Sequence, residues 1–103
     1  MVNIIVEPIR VGKQTATGIK MEWPFGWFLI IIGSKAVLTC GAFDHETFKT
    51  FSIPMSRVVG TPEAPLKTFD DVLSAKITDV TPEAAQLGIK RGMVGKEALG
   101  KCF

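Results

Sequence analysis

Residues Trp27 to Phe51 read WFLIIIGSKAVLTCGAFDHETFKTF, and three changes of pattern within them decide the fold. Trp27 to Ile32 is apolar at every position without alternation, the pattern of a strand in the middle of a sheet, covered on both faces. Gly33-Ser34-Lys35 reads as a turn, with Gly33 free to take positive φ, and Ala36 to Cys40 returns as the partner strand. After Gly41 the period becomes helical. Asp44 is an N-cap residue, and Phe43 and Phe48 occupy the two positions of a hydrophobic staple. Glu46 suits the positive end of the helix dipole, Phe48 and Phe51 continue an apolar face, and Ser52-Ile53-Pro54 ends the helix.

Working outward, Val2 to Val11 is rich in Val and Ile and predicts a strand. Pro8 inside it lacks a ladder donor, so an edge strand or a bulge is expected there. Gly12-Lys13-Gln14 follows as a turn. Thr15, Thr17, Ile19, Met21 and Trp23 then alternate with Ala16, Gly18, Lys20 and Glu22, the period of a half-buried strand in a hairpin. Beyond the central stretch, Val58-Val59 predicts a brief edge strand, and Pro62 and Pro65 bracket a loop. Thr68 and Asp71 stand in capping-box spacing before a short helix that places Phe69, Val72 and Leu73 on one face. Lys76 to Val80 predicts a strand. Thr81-Pro82-Glu83 starts a further helix that Gly88 stops, and Val94, Ala98 and Cys102 repeat every four residues along the last one. The fold class is therefore α+β in one domain over 1–103: a mostly antiparallel sheet that begins with a meander of about four strands, with short helices packed on one face.

Composition narrows the function classes. A chain of 103 residues holds one core. At 47% hydrophobic residues it carries more apolar surface than a small interior can take, which predicts a homo-oligomer. The longest apolar run is far too short to cross a bilayer. The opening MVNIIVEPIR lacks the charge pattern of a secretory signal, so a cytoplasmic address without membrane is expected. A net charge of +2, spread along the chain, argues against nucleic acid as a partner. Two well-separated cysteines read as free thiols.

The segments LTCGAFD (Leu38–Asp44) and LGIKRGMVGKEAL (Leu87–Leu99) resemble the paired signatures of the YunC-like family, small prokaryotic domains of unknown function. The resemblance covers essentially the whole chain. It implies a small cytoplasmic α+β domain, and it marks Cys40, Gly41, Asp44, Gly88, Gly92, Gly95 and Ala98 as positions that match the family pattern. His45 has no such match. Because the family carries no established activity, the resemblance implies no reaction.

Chemistry gathers at the turn after the second strand of the central stretch. A thiol at Cys40, just before a helix, would have its thiolate favoured by the local dipole. His45 is the chain's one histidine and its candidate base, with Asp44 to orient it. The bland readings are a buried core cysteine, an aspartate that only caps, and an exposed histidine. Thr39, Cys40, Gly41, Asp44 and His45 therefore form a candidate site, with Cys40 as its candidate nucleophile. They lack the ligand spacing of a metal centre, so no metal and no cofactor is expected. Gly92 and Gly95, with Lys96, Lys90 and Arg91 nearby, form a candidate site for a small anionic ligand at the start of the last helix. Close packing of that helix accounts for the same glycines. Three functions follow: a homo-oligomeric ligand- or partner-binding module with its site at the Cys40-Gly41 turn, a thiol-dependent enzyme using Cys40, or a purely structural subunit.

Overall fold

A computed structural model describes all 103 residues. Six strands form one sheet in chain order: β1 (Asn3–Val11), β2 (Gln14–Trp23), β3 (Gly26–Ile32), β4 (Val37–Thr39), β5 (Met55–Val58) and β6 (Ile77–Val80). The first four are an antiparallel meander, as the turn spacing predicts. β4 and β5 are parallel. A parallel pair cannot be joined by a tight turn, and the segment carrying α1 (His45–Thr50) supplies the crossover. The remaining helices are α2 (Phe69–Ser74), α3 (Pro82–Ala85) and α4 (Gly95–Gly100).

β1 is an edge strand, so Pro8 is accommodated without a bulge and pairs in register with Thr17. β5 lies between β4 and β6. The edge strand expected at Val58-Val59 is instead interior, and Val59 falls beyond its end; β6 is the edge on that side. Gly33 does not use positive φ, which among the glycines is confined to Gly12, Gly88 and Gly92. Its role is steric: a Cβ there would lie 2.5 Å from the carbonyl oxygen of Cys102.

Cross-strand partners share a face, and alternate residues along a strand share one too. On the core face stand Ala16 and Gly18 of β2, Leu29 and Ile31 of β3, and Leu38 of β4. Ala98, Leu99 and Cys102 join them from α4 and its C-terminal end, and Phe69 and Val72 from α2. Each fully buried Leu or Ile contributes about 1.5–3 kcal/mol. The small residues of β2 face inward because α2 lies directly above them: a Cβ on Gly18 would meet the Phe69 ring at 2.8 Å. The larger side chains of the same strand, Ile19, Met21 and Trp23, turn outward, beside Ile4 and Val6 of β1 and Phe28 and Ile30 of β3.

α1 lies on that outer side, toward β5. Phe28, Phe43 and Phe48 form a run of edge-to-face rings with centroids 5.3 and 6.1 Å apart, so the staple is formed and is anchored on the sheet. Asp44 caps the helix, accepting from the Glu46 amide and the Thr47 hydroxyl. Phe51 does not extend the apolar face; it follows the helix and is exposed. The Thr68–Asp71 capping box is complete. Thr81 precedes α3 without capping it, because its hydroxyl is spent on β5, accepting from the Met55 amide and donating to the Ile53 carbonyl. In α4 the buried stripe is Gly95, Ala98 and Leu99, extended by Cys102, while Val94 is the exposed N-cap rather than a core residue. No helix is long and apolar enough to cross a membrane.

Candidate functional site

The Cys40-Gly41 turn lines a cleft of about 340 Å³. Cys40 and Trp27 belong to the sheet side, Gly41 and Ala42 to the turn, and Gly60, Thr61, Pro62, Pro65 and Leu66 to the loop that walls the far side. That loop is tied down by the Trp27 indole, whose Nε1–H donates to the Leu66 carbonyl at 2.6 Å. A second short bridge, between Thr61 and Ala64, braces the loop internally. Gly41 permits the close approach of this wall, since a Cβ would come within 3.3 Å of Val59. The cleft is at the lower end of the size range of small-molecule sites, and its lining is mostly apolar.

Cys40 is 6% exposed and belongs to the core cluster. Its Sγ accepts the Leu29 amide hydrogen at 3.3 Å, so the thiol is engaged with β3 while its edge reaches the cleft. His45 does not meet it. The imidazole lies 3.6 Å from Asp79 and 3.2 Å from Glu46, on the outer side of the sheet with α1. Asp79 in turn takes the Arg57 guanidinium at 2.9 Å, and Arg57 also donates to the Phe43 carbonyl. Burial raises the Asp79 pKa, but hydrogen bonds from Thr78 and Arg57 outweigh it and hold the carboxylate below its ordinary value. This cluster ties α1 to β5 and β6.

Asp44 is exposed and committed to its helix, and the Thr47 hydroxyl foremost keeps its pKa low. The Cys–His–Asp arrangement weighed from the sequence is therefore not assembled: the acidic partners of His45 are Asp79 and Glu46, and its ring is turned away from the thiol. Thr39 is buried, and its hydroxyl has no partner. It pairs with Ile30 and Arg57, whose side chains are on the face opposite Leu38. Cys102, also a free thiol, is fully buried; burial pushes it up to about 11.

At the start of α4 the amides of both glycines are already used. Gly92 donates to Ile77 and Gly95 to Ala75, at 2.8 and 2.7 Å. Gly95 is buried under α2, where a Cβ would stand 2.3 Å from the Val72 carbonyl oxygen, and this close approach accounts for the glycine. Lys96 points instead toward a separate groove beneath α2. No group of His, Cys, Asp and Glu is arranged to hold a metal ion.

Several cleft and cluster residues carry no local sequence signal. Trp27 and Leu66 are 39 positions apart, and Arg57 and Asp79 are 22 apart. Only the pairing of β5 with β6 joins the latter two.

Residues 39–102 match the model of DUF1805, a domain of unknown function. The match begins at the strand residue before Cys40 and ends at the buried Cys102. The chain is 35% identical over 105 residues to the uncharacterised protein YunC of Bacillus subtilis (strain 168), covering 98% of this chain and 97% of that one. Its fold is similar to the crystal structure of a protein of unknown function, TA1206 from Thermoplasma acidophilum. That likeness has a TM-score of 0.88 at 29% identity and covers 99% of this chain and 95% of the other. The chain belongs to the YunC-like family, whose domain is DUF1805.

Proposed function

We propose that this protein is a homo-oligomeric binding module whose site is the cleft at the Cys40-Gly41 turn. The observation that carries the reading is the cleft itself: a loop is strapped over the turn by one indole-to-carbonyl bond, leaving about 340 Å³ of mostly apolar space. An apolar cavity with a flat aromatic wall at Trp27 suits a small ring-bearing molecule. The thiol of Cys40 serves as a wall, bonded to Leu29, in this reading. Indole is a suitable probe. Followed by NMR, it is expected to give saturable shifts at the Trp27 side chain and at Cys40 to Ala42, and Ala42→Trp, which fills the cleft from its exposed rim, is expected to abolish them. Absence of saturable shifts in the unmodified chain refutes the site.

Support for the assembly comes from the outer face of β1–β3. Ile4 and Val6 are each 62% exposed and Ile32 38%, and register places them with Ile19, Met21 and Ile30 on one surface. A contiguous apolar surface of this kind favours a second copy of the chain. Light scattering at micromolar concentration should give a multiple of the 11.2 kDa chain mass, reduced to that mass by Ile4→Lys with Val6→Lys. A monomeric mass for the unmodified chain sinks the reading.

A further inference from the structure

The largest cavity of the molecule is not the Cys40 cleft but a groove of about 680 Å³ between β1, β2 and α2. Its apolar floor is Ile5, Ile9, Phe69 and Leu73, and its charged lining is Arg10, Lys20, Lys67, Lys96, Glu7 and Asp70. These charges are not mixed at random. Phe69, at the start of α2, lies on Gly18, two residues from Lys20, so Lys20 and Lys67 share one end. At the other end, Gly95 packs against the backbone of Val72 and Leu73, which sets Lys96 beside the C-terminal end of α2, and Arg10 lines the groove from the β1 edge. Between the ends, Glu7 pairs across the ladder with Gly18, and Asp70 stands in the first turn of α2. The two cationic ends are separated by the length of α2, six residues, or about 9 Å at the rise of an α-helix.

Lys20 is partly compensated by Glu22 at 3.4 Å. Arg10, Lys67 and Lys96 form no ion pair, although Glu7 and Asp70 line the same groove. Lys67 has only the face of Trp27, 5.5 Å from the ring centroid. Four cations against two carboxylates leave this groove with a surplus as large as the net charge of the whole chain, +2. Such a concentration of like charge repels itself and is relieved by an anion.

We infer that the groove binds an elongated small molecule with an anionic group, phosphate or carboxylate, at each end and hydroxyl or amine donors between them. The ends meet Lys20 with Lys67 and Arg10 with Lys96; Glu7 and Asp70 accept the central donors. Because two ends bind as one event, a two-ended ligand gains over its one-ended counterpart through effective concentration.

The test is an NMR titration of the full chain with four probes: fructose 1,6-bisphosphate against fructose 6-phosphate, and glucarate against gluconate. At least one two-ended probe is expected to bind ten times more tightly than its one-ended counterpart, shifting residues 5–10 and 67–74; which pair does so identifies the anionic group. Lys67→Gln and Lys96→Gln, both at exposed positions, are each expected to weaken that binding about tenfold. Lys90→Gln with Arg91→Gln, which removes charge elsewhere, is expected to leave it unchanged. Equal affinities for one- and two-ended probes, or an equal loss in the Lys90/Arg91 control, overturns the inference. The Cys40 cleft is unaffected by either result, since its probe and reporters are different.

Discussion

Replacing Gly95 by Ala tests the contact on which the helical layer rests. A Cβ at this position would lie 2.3 Å from the Val72 carbonyl oxygen and 3.2 Å from the Leu73 Cα. Both atoms are α2 backbone, so no side chain can rotate to make room, and α4 must move away from α2 by about 1 Å, given normal contact distances. Overpacking of this kind costs about 1–3 kcal/mol. The same movement strains the 2.7 Å bond from the Gly95 amide to the Ala75 carbonyl, a loss of about 1 kcal/mol. The better helix propensity of Ala returns up to about 1 kcal/mol. The net loss is about 2 kcal/mol, and for a domain of this size it lowers Tm by roughly 8–16 °C.

Two further glycines separate sterics from backbone conformation. Gly92 has φ +85° with no atom near its would-be Cβ, so Gly92→Ala costs about 1–2 kcal/mol through conformation alone. Gly100 would place its Cβ an ordinary 3.7 Å from Val11, so Gly100→Ala is neutral or stabilising by a few tenths of a kcal/mol, about what propensity allows near a helix end. Thermal unfolding by circular dichroism should rank the variants Gly100→Ala, Gly92→Ala, Gly95→Ala in falling Tm. A Gly95→Ala protein within about 2 °C of the unmodified chain, well under the shift expected for 1 kcal/mol, refutes the close-approach argument.

Asp71 accepts the amides of Lys67 and Thr68, and these bonds lower its pKa from 3.8. A carboxylate depressed on folding stabilises above its unfolded value and loses that contribution as pH falls through the folded one. Stability should therefore hold from neutral pH to about 4 and fall below it, with a shallower acid limb in Asp71→Asn; parallel acid limbs for the two proteins count against this assignment. For the thiols, a mild alkylating reagent near pH 8 should modify Cys40, at the rim of a cleft, before Cys102, which is fully buried and pushed up to about 11. Labelling of Cys102 at an equal or greater rate would contradict the placement of Cys40.

Much of the local structure was legible in the chain, because it depends on neighbours a few residues apart. The unbroken apolar run of β3, the Asp44 cap with its Phe43–Phe48 staple, and the Thr68–Asp71 box each involve groups within seven residues, and each is present. The meander is legible for the same reason, since consecutive strands joined by short turns pair with each other. The role of Gly33 was not. Its neighbour is Cys102, at the far end of the chain, so a glycine that looks like a turn residue is a packing residue.

The candidate site divides along the same line. The sequence alone determined that Thr39, Cys40, Gly41, Asp44 and His45 are grouped at one strand-to-helix turn, because chain connectivity places them there. Which way each side chain points was decided by tertiary structure. The parallel β4–β5 crossover carries α1 to the outer side, where His45 finds Asp79, while Cys40 remains with Leu29 on the core side. Adjacent residues of a strand face opposite sides of the sheet, and short-range pattern says nothing of what waits on either side. The wall of the Cys40 cleft and both ends of the α2 groove likewise come from segments brought together only by the closing of the sheet and its helices.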